Sequence, residues 1–559
     1  MKDTVLSLLA KNLKKDSAAI VSLLEVPQDA AHGDYAFPCF TLARDLKKNP
    51  LEIAKDLASQ IKIPKELEKI EARGPYVNFF VNRSLLAQQT LKEILKQKEK
   101  YGSQKKKNSE HVMIEFSQAN THKAFHIGHV RGTSLGESLA RLSAFSGDKV
   151  TRANYQGDTG MHVAKWLWCY QTYHQKEILK KEEGWIASIY VEAVKRLTEH
   201  PELEAQVISM NQKLESRSDK SLLALWKKTR KLCLDAFESI YSDLNTHFDR
   251  YFFESEVEVQ GKKISENLVK SHLAEISEEA TIIRLDSYHL GVWVLLRKDG
   301  TVLYSAKDLA LAELKFDTLK VDRSVYVVGA AQRHHFMQLF KTLELMKFPQ
   351  AEKCRYVPVT EVRLPGGKMS SRTGENVLYS DFKKEMLSHV QQEIKKRNPT
   401  IAKKELEKRS LAITIAALKY DMLRQDVDKS IVFNKEESLK FEGDTGPYLL
   451  YTYARAQSIL GKASLAKSSQ TPSLTEKEKA LVVALASFPE VVKQAYESLA
   501  PNQVANYAFQ LAQSFNEFYH AEKVIGSENE SFRLSLVKSF SQVLKNALAL
   551  LGIPVLEKM

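Results

Sequence analysis

Four short apolar runs set the frame for this chain: "HVMIEF" (111–116), "DKVTRANYQ" (148–156), "SVYVVGA" (324–330) and "CRYVPV" (354–359). Helix-patterned stretches such as 222–246 and 305–316 lie between them. Alternation of this kind restricts the middle of the chain to βαβ units, and so to a parallel sheet with helices on its faces. "WVLLRKDGTVLY" predicts a hairpin, with Asp299–Gly300 as a type I′ turn pair. Residues 163–246 carry few strand signals and predict a helical insertion in the sheet.

The flanks read differently. Residues 1–96 predict a small α/β unit whose last strand is "GPYVNFFVNRS" (74–84). A lysine-rich linker follows, "KQKEKYGSQKKKNSE". From about 381 onward apolar residues recur at three and four, as in a helical bundle. At roughly 150 residues per domain, the length allows three to four domains. The expected edges are 1–105, 106–380, a connecting stretch at 381–440, and 441–559.

Composition excludes more than it selects. No apolar run reaches the roughly 18 residues of a membrane span. The first twenty residues interrupt their apolar positions with Lys11, Lys14, Lys15 and Asp16, as an amphipathic helix does and a secretory signal does not. Cys39, Cys169, Cys233 and Cys354 are far apart with no C-x-x-C, so the spacing gives neither a disulfide framework nor a zinc site. No resident metal is expected, and the chain reads as cytoplasmic. A net charge of +13 makes a polyanionic partner plausible, nucleic acid first.

Two stretches carry chemistry. In "ANTHKAFHIGHVRG" (119–132), His126 and His129 are three apart, and Gly128 stands between them. If a helix starts here, both imidazoles lie on one face of its first turn. Free N–H groups and the positive end of the dipole then suit phosphate, and Gly128 lets a planar base approach the backbone. In "RLPGGKMSSRTGEN" (363–376), glycines surround Lys368, Met369, Ser370, Ser371 and Arg372, as in a basic loop that can close on a triphosphate. Each motif alone is also compatible with an ordinary helix cap or a surface turn.

Together, in this order, they resemble the HIGH and KMSKS signatures of class I aminoacyl-tRNA synthetases. "EFSQANTHKAFHIGHVRGTSLGESLARL", "NYQGDTGMHVAK", "YSAKDLALA", "YVVGAAQRHHFMQLF" and "GDTGPYLLYTYARAQSIL" narrow the resemblance to arginyl-tRNA synthetases. It covers nearly the whole chain. It implies a Rossmann-like parallel-sheet catalytic domain, an N-terminal α/β domain engaging the tRNA elbow, and a C-terminal all-α anticodon-binding bundle. It also implies ATP with substrate-associated Mg²⁺, L-arginine and tRNA as substrates, and a monomer. His126, Gly128, His129, Lys368, Met369, Ser370 and Ser371 would then meet ATP. Asn120, Tyr304, Asp308, Gln332 and Glu254 would line the arginine pocket. His335 is expected to be structural or nucleotide-adjacent. Family members commonly need bound tRNA before they form adenylate.

Three departures stand out. Ser371 replaces the second lysine of KMSKS, and Lys123, three before His126, is expected to substitute. Lys307 stands where many members carry arginine, and His162 where many carry glutamine. Two rival readings compete with the main one: a class I synthetase for another amino acid, and a non-catalytic tRNA-binding paralogue. "SAKD" also has the spacing of a helix capping box, Ser305 with Asp308.

Overall fold

The computed structural model describes residues 1–27, 29–365, 378–463 and 473–559. Two compact units emerge. One comprises Met1–Tyr101, Ser458–Phe488 and Gln510–Val543, the other Gly102–Gln457, Pro489–Phe509 and Leu544–Met559. The second signature loop, including Lys368, Met369, Ser370 and Ser371, lies outside the described residues.

In the first unit, β1 (Tyr35–Pro38), β2 (Leu67–Arg73) and β3 (Tyr76–Val81) form an antiparallel sheet with β3 in the middle. Helices Lys2–Leu13 and Pro50–Gln60 bury Val5, Leu9, Ile53 and Leu57 with Phe37, Val77 and Phe79. Asn49 starts the second helix by accepting from the Leu51 N–H at 2.9 Å, with Pro50 at its first position. In the C-terminal part of this unit Phe515 stacks on Phe540 at 3.8 Å, and buried Arg533 bridges Glu478 and Glu522.

The second unit holds β4 (His111–Glu115), β5 (Lys149–Gln156), β6 (Arg250–Phe253), β10 (Arg323–Gly329) and β11 (Cys354–Val359). They pair all-parallel in the order β11-β10-β4-β5-β6. Val112, Met113 and Ile114 are all fully buried. A strand covered on both faces reads as an unbroken apolar run, which is why these strands were visible in the sequence. The winding reverses between β4 and β10. In such sheets ligands bind outside the carboxyl ends of the strands at that reversal.

Helices Met161–Tyr173, Glu183–Glu199, Glu204–Glu215 and Lys220–Asp243 lie between β5 and β6, where the insertion was expected. They carry their own core around Trp166, Ile189 and Trp226. Between β6 and β10, β7 (Glu275–Ser277), β8 (Ala280–Arg284) and β9 (Val292–Leu296) form an antiparallel sheet. The hairpin after β9 exists, but its turn is not type I′. Only Gly300 has positive φ (+80°), and its N–H donates to Arg297 O at 2.9 Å. Asp299 stays out of the left-handed region, where its carboxylate accepts from the Thr301 N–H at 3.0 Å. The loop is therefore three residues long, a β-turn closed by a left-handed glycine.

Beyond 381 the expected helices form, Tyr379–Arg397 and Lys403–Leu423 first. One short strand interrupts them: β13 (Ile431–Val432) runs parallel to β12 (Val362–Arg363). No helix among the described residues is long and apolar enough to cross a membrane.

Candidate active site

The loop leaving β4 turns sharply before its helix begins. Ser117, Gln118 and His122 have φ of 75°, 50° and 60°, values that side-chain-bearing residues avoid. Surrounding bonds hold them there. Ser117 Oγ donates to Tyr241 Oη at 3.0 Å, and the Thr121 N–H donates to Gly157 O at 3.1 Å. The buried His122 ring sits between Thr121 Oγ1 (3.0 Å) and Thr229 Oγ1 (2.8 Å).

The loop delivers His126 as the N-cap of helix Ile127–Phe145. The His126 backbone N–H donates to Nδ1 of His129 at 3.1 Å, and the two rings stack at 3.8 Å. A ring nitrogen that accepts from an N–H carries no proton, so His129 keeps its proton on Nε2. Burial holds His126 neutral, its pKa lowered to about 4, and holds that of His129 well below the ordinary imidazole value, with His126 and Lys123 adding to the effect. The pair therefore offers hydrogen-bond donors rather than charge. Gly128 serves this pair first. A Cβ there would lie 3.0 Å from the His126 ring, so the glycine seats the imidazole as well as leaving the backbone open.

Both flanks of the second signature return to this helix. Leu378, the first described residue after it, bridges His126, and the Tyr379 N–H donates to Phe125 O at 3.0 Å. On the other flank, buried Arg131 donates to Thr360 O (2.9 Å) and Oγ1 (2.6 Å), and to Asp426 O (3.0 Å). Lys123 stands nearby over the Tyr190 ring, 5.4 Å from its centroid. Among the described residues no carboxylate pairs with it. Burial and neighbouring Lys165 lower its pKa. An unpaired, partly desolvated cation of this kind has strong affinity for an incoming anion.

A second cluster is acidic. Asp308, one turn into helix Tyr304–Leu319, accepts from His335 Nε2 at 2.6 Å. His335 Nδ1 in turn accepts from the Trp293 indole N–H at 3.3 Å, which assigns the His335 proton to Nε2. His335 is thus the group that orients Asp308. Tyr304 presents an exposed ring edge-to-face on His335 at 4.7 Å. The capping-box alternative fails. The helix starts ahead of Ser305, with Leu303 at its N-cap, and the Ser305 hydroxyl donates to Val294 O.

Glu254 opens helix Glu254–Lys270, and Lys307 donates to it at 3.0 Å. Burial raises the carboxyl pKa of Glu254 and Lys307 pulls it back. Lysine in place of the family's arginine thus keeps a cation at this position. A Cβ on Gly157 would meet Asn120 Oδ1 at 2.2 Å and Glu254 Oε1 at 3.3 Å, so Asn120 and Glu254 close on one glycine. Gln332 ends the short turn after β10 and is exposed.

His162 meets the same glycine. Its Nε2 lies 3.2 Å from Gly157 O. Burial first, then the positive charges of Lys123 and Lys307, lower its pKa to about 3. Sequence reasoning missed three members of this cleft. They are Gly157, the orienting role of His335, and Tyr155, whose buried hydroxyl has no partner among the described residues and feels Asp308 and Glu254. Gly157 and Tyr155 lay in "NYQGDTGMHVAK" and His335 in "AAQRHHF", but no local pattern showed what each would meet.

The buried imidazoles set an acid limit. His122 and His162 (both about 3), His126 (about 4) and His129 stay neutral in the fold, while in the unfolded chain they protonate near 6.5. Above that pH they contribute no slope. Below it the unfolded chain binds protons that the fold refuses, and stability falls by up to about 1.4 kcal/mol per pH unit per histidine. Urea midpoints should drop steeply from pH 6.5 to pH 4.5, and His162→Gln should flatten the fall by about one proton. An unchanged slope in that variant would mean His162 is not held neutral.

Three family models match the chain. Residues 1–81 match the arginyl tRNA synthetase N-terminal domain, 90–434 the class I (R) tRNA synthetase catalytic domain, and 449–559 the DALR anticodon binding domain. An arginine–tRNA ligase of Clostridium perfringens is 36% identical over 549 residues, 97% of this chain and 96% of its own length. The Thermus thermophilus arginyl-tRNA synthetase structure superposes with a TM-score of 0.84 at 26% identity, covering 100% of both chains. The Plasmodium falciparum arginyl-tRNA synthetase shares the fold, with a TM-score of 0.80 at 19% identity over 100% of this chain and 99% of its own.

Proposed function

The chain belongs to the arginyl-tRNA synthetase family, its activity is that of an arginine–tRNA ligase using ATP, and from that footing we propose how its cleft does the work. Arginine enters with its guanidinium on Asp308, whose carboxylate His335 already orients, and against the ring and hydroxyl of Tyr304. Asn120 and Gln332 take the α-amino and carboxylate end, and Glu254 completes the pocket. ATP lies with its phosphates toward His126, Gly128 and His129. Lys368, Met369, Ser370 and Ser371 are the second-signature residues we assign to the same nucleotide.

The carboxylate of arginine attacks the α-phosphorus in line, pyrophosphate departs, and arginyl-adenylate forms. The neutral imidazoles donate hydrogen bonds to the phosphoryl oxygens, while Lys123 and Lys368 supply the charge. The 2′-hydroxyl of the terminal adenosine of tRNA then attacks the acyl carbonyl and AMP leaves. Mg²⁺ would arrive with the nucleotide. The groups facing the phosphates are nitrogen donors, so its oxygen ligands would come from phosphate and water. We also infer a cytoplasmic monomer, with 1–105 at the tRNA elbow and 441–559 at the anticodon. The net charge of +13 suits that partner.

The observation that carries this reading is His162. Its Nε2 lies 3.2 Å from Gly157 O, the carbonyl that also accepts from the Thr121 N–H of the first-signature loop at 3.1 Å, while a Cβ on Gly157 would meet Asn120 and Glu254, which supports one continuous cleft. The test is direct. With ATP, total tRNA and each amino acid in turn, only arginine should become attached. Attachment of a different amino acid, or of none, would select one of the rival readings. Without tRNA, ATP–pyrophosphate exchange with arginine should be slow, and robust exchange would remove the expected tRNA requirement. Gly157→Ala should cost about 1–3 kcal/mol in urea unfolding and raise the arginine KM, because the new methyl drives Asn120 off its position. A normal arginine KM would detach Asn120 from the pocket.

A further inference from the structure

We propose that Cys169, His174 and Glu192, in the helical insertion, form a binding site for one divalent cation of the zinc class. The Cys169 sulfur, a His174 ring nitrogen and a Glu192 carboxylate oxygen lie within 4.8 Å of one another. Cys169 is on the last turns of helix Met161–Tyr173, His174 caps that helix, and Glu192 stands on helix Glu183–Glu199. The spacing is no zinc motif, because one ligand comes from a second helix. Only folding assembles the set.

The surroundings resemble the outer shell of a metal centre. His174 Nε2 lies 2.9 Å from Glu192 Oε2, while its Nδ1 lies 2.6 Å from Glu177 Oε1. A carboxylate on the far ring nitrogen fixes the tautomer and raises the basicity of a ligating imidazole. Glu177 is itself held by the Trp185 indole N–H at 3.1 Å. Arg196 donates to Glu192 Oε1 at 2.7 Å, which leaves Oε2 for the cation.

The charges also close. A Cys169 thiolate, Glu192 and Glu177 carry three negative charges, and a divalent ion with Arg196 carries three positive. Binding releases the thiol proton of Cys169 and the proton that His174 Nε2 shares with Glu192. Bonds of about 2.0–2.3 Å need ligand separations of roughly 3.3–3.7 Å. Cys169 is fully buried, whereas His174 and Glu192 are partly exposed and free to close that gap. The fourth position is left to water. Such an ion would clip together two helices of the insertion, one of which carries Tyr190 beneath Lys123.

The rival account is a histidine bridging two glutamates beside an inert thiol. Chelator-treated full-length protein, titrated with Co²⁺ alone, separates the two. One equivalent should bind with a thiolate-to-cobalt charge-transfer band, and Zn²⁺ should displace it. Cys169→Ser and His174→Gln should each abolish the band, and Glu177→Gln should weaken Zn²⁺ binding by about 10–100-fold. No band in the wild-type protein, or an unchanged band in Cys169→Ser, overturns the site.

Discussion

Asp308→Asn should raise the KM for arginine by about 10²–10³-fold, roughly 3–4 kcal/mol, and leave the KM for ATP within about threefold. Asparagine keeps the shape of the side chain and an oxygen for the His335 Nε2–H, so the orientation survives. What disappears is the charge. The guanidinium would then be desolvated in the cleft with only neutral acceptors for company, a penalty of this order for a charged pair that loses one member. The two KM values discriminate between roles. A residue that merely capped its helix would, when replaced, lower stability and disturb both substrates together. Equal effects on arginine and ATP would therefore contradict the pocket assignment.

Lys123→Ala should lower kcat for arginyl-adenylate formation by about 10²–10³-fold, measured by pyrophosphate exchange in the presence of tRNA. The arginine KM should stay within a few-fold. Lys123 is a cation without a carboxylate partner among the described residues, and its pKa is lowered by burial and Lys165. The sign for stability follows. Its folded pKa lies below its unfolded one, so at neutral pH the fold holds an unfavourable charge, and removing it should leave the urea midpoint unchanged or higher. A structural lysine would behave in the opposite way, with lost stability and normal turnover. An unchanged rate would take Lys123 out of the mechanism and leave Ser371 without its substitute.

How far the sequence could be read depended on how local the cause was. The strands of the parallel sheet were legible because burial on both faces forces unbroken apolar runs, as in Val112–Ile114. The first-signature helix was legible from its histidines. The strain before it was not, because Ser117, Gln118 and His122 do not advertise positive φ as glycine does. The turn at Asp299–Gly300 was half legible. Glycine took the left-handed position, while the aspartate preferred its own side-chain bond to Thr301.

In the site, residue types were readable and partnerships were not. Asp308 was visible, but the histidine that orients it lies 27 positions away. "SAKD" has cap spacing, yet Ser305 answers a carbonyl on a neighbouring strand, information that no local window holds. Glu254 meets Lys307 across 53 positions, and Gly157 meets Asn120 only because β4 and β5 are adjacent. The second signature was found by its lysine and glycines. Its flanks are tied, through Leu378 and Arg131, to the helix that His126 begins.

The account stands on two halves of one substrate meeting in one crevice, and a co-crystal with a non-hydrolysable arginyl-adenylate analogue reads that directly. The guanidinium should sit within hydrogen-bond distance of the Asp308 carboxylate, and the phosphate mimic of the same molecule within reach of His129 Nε2 and Lys123 Nζ. An analogue bound with either end elsewhere, its acidic anchor and its imidazoles on separate surfaces, would contradict it.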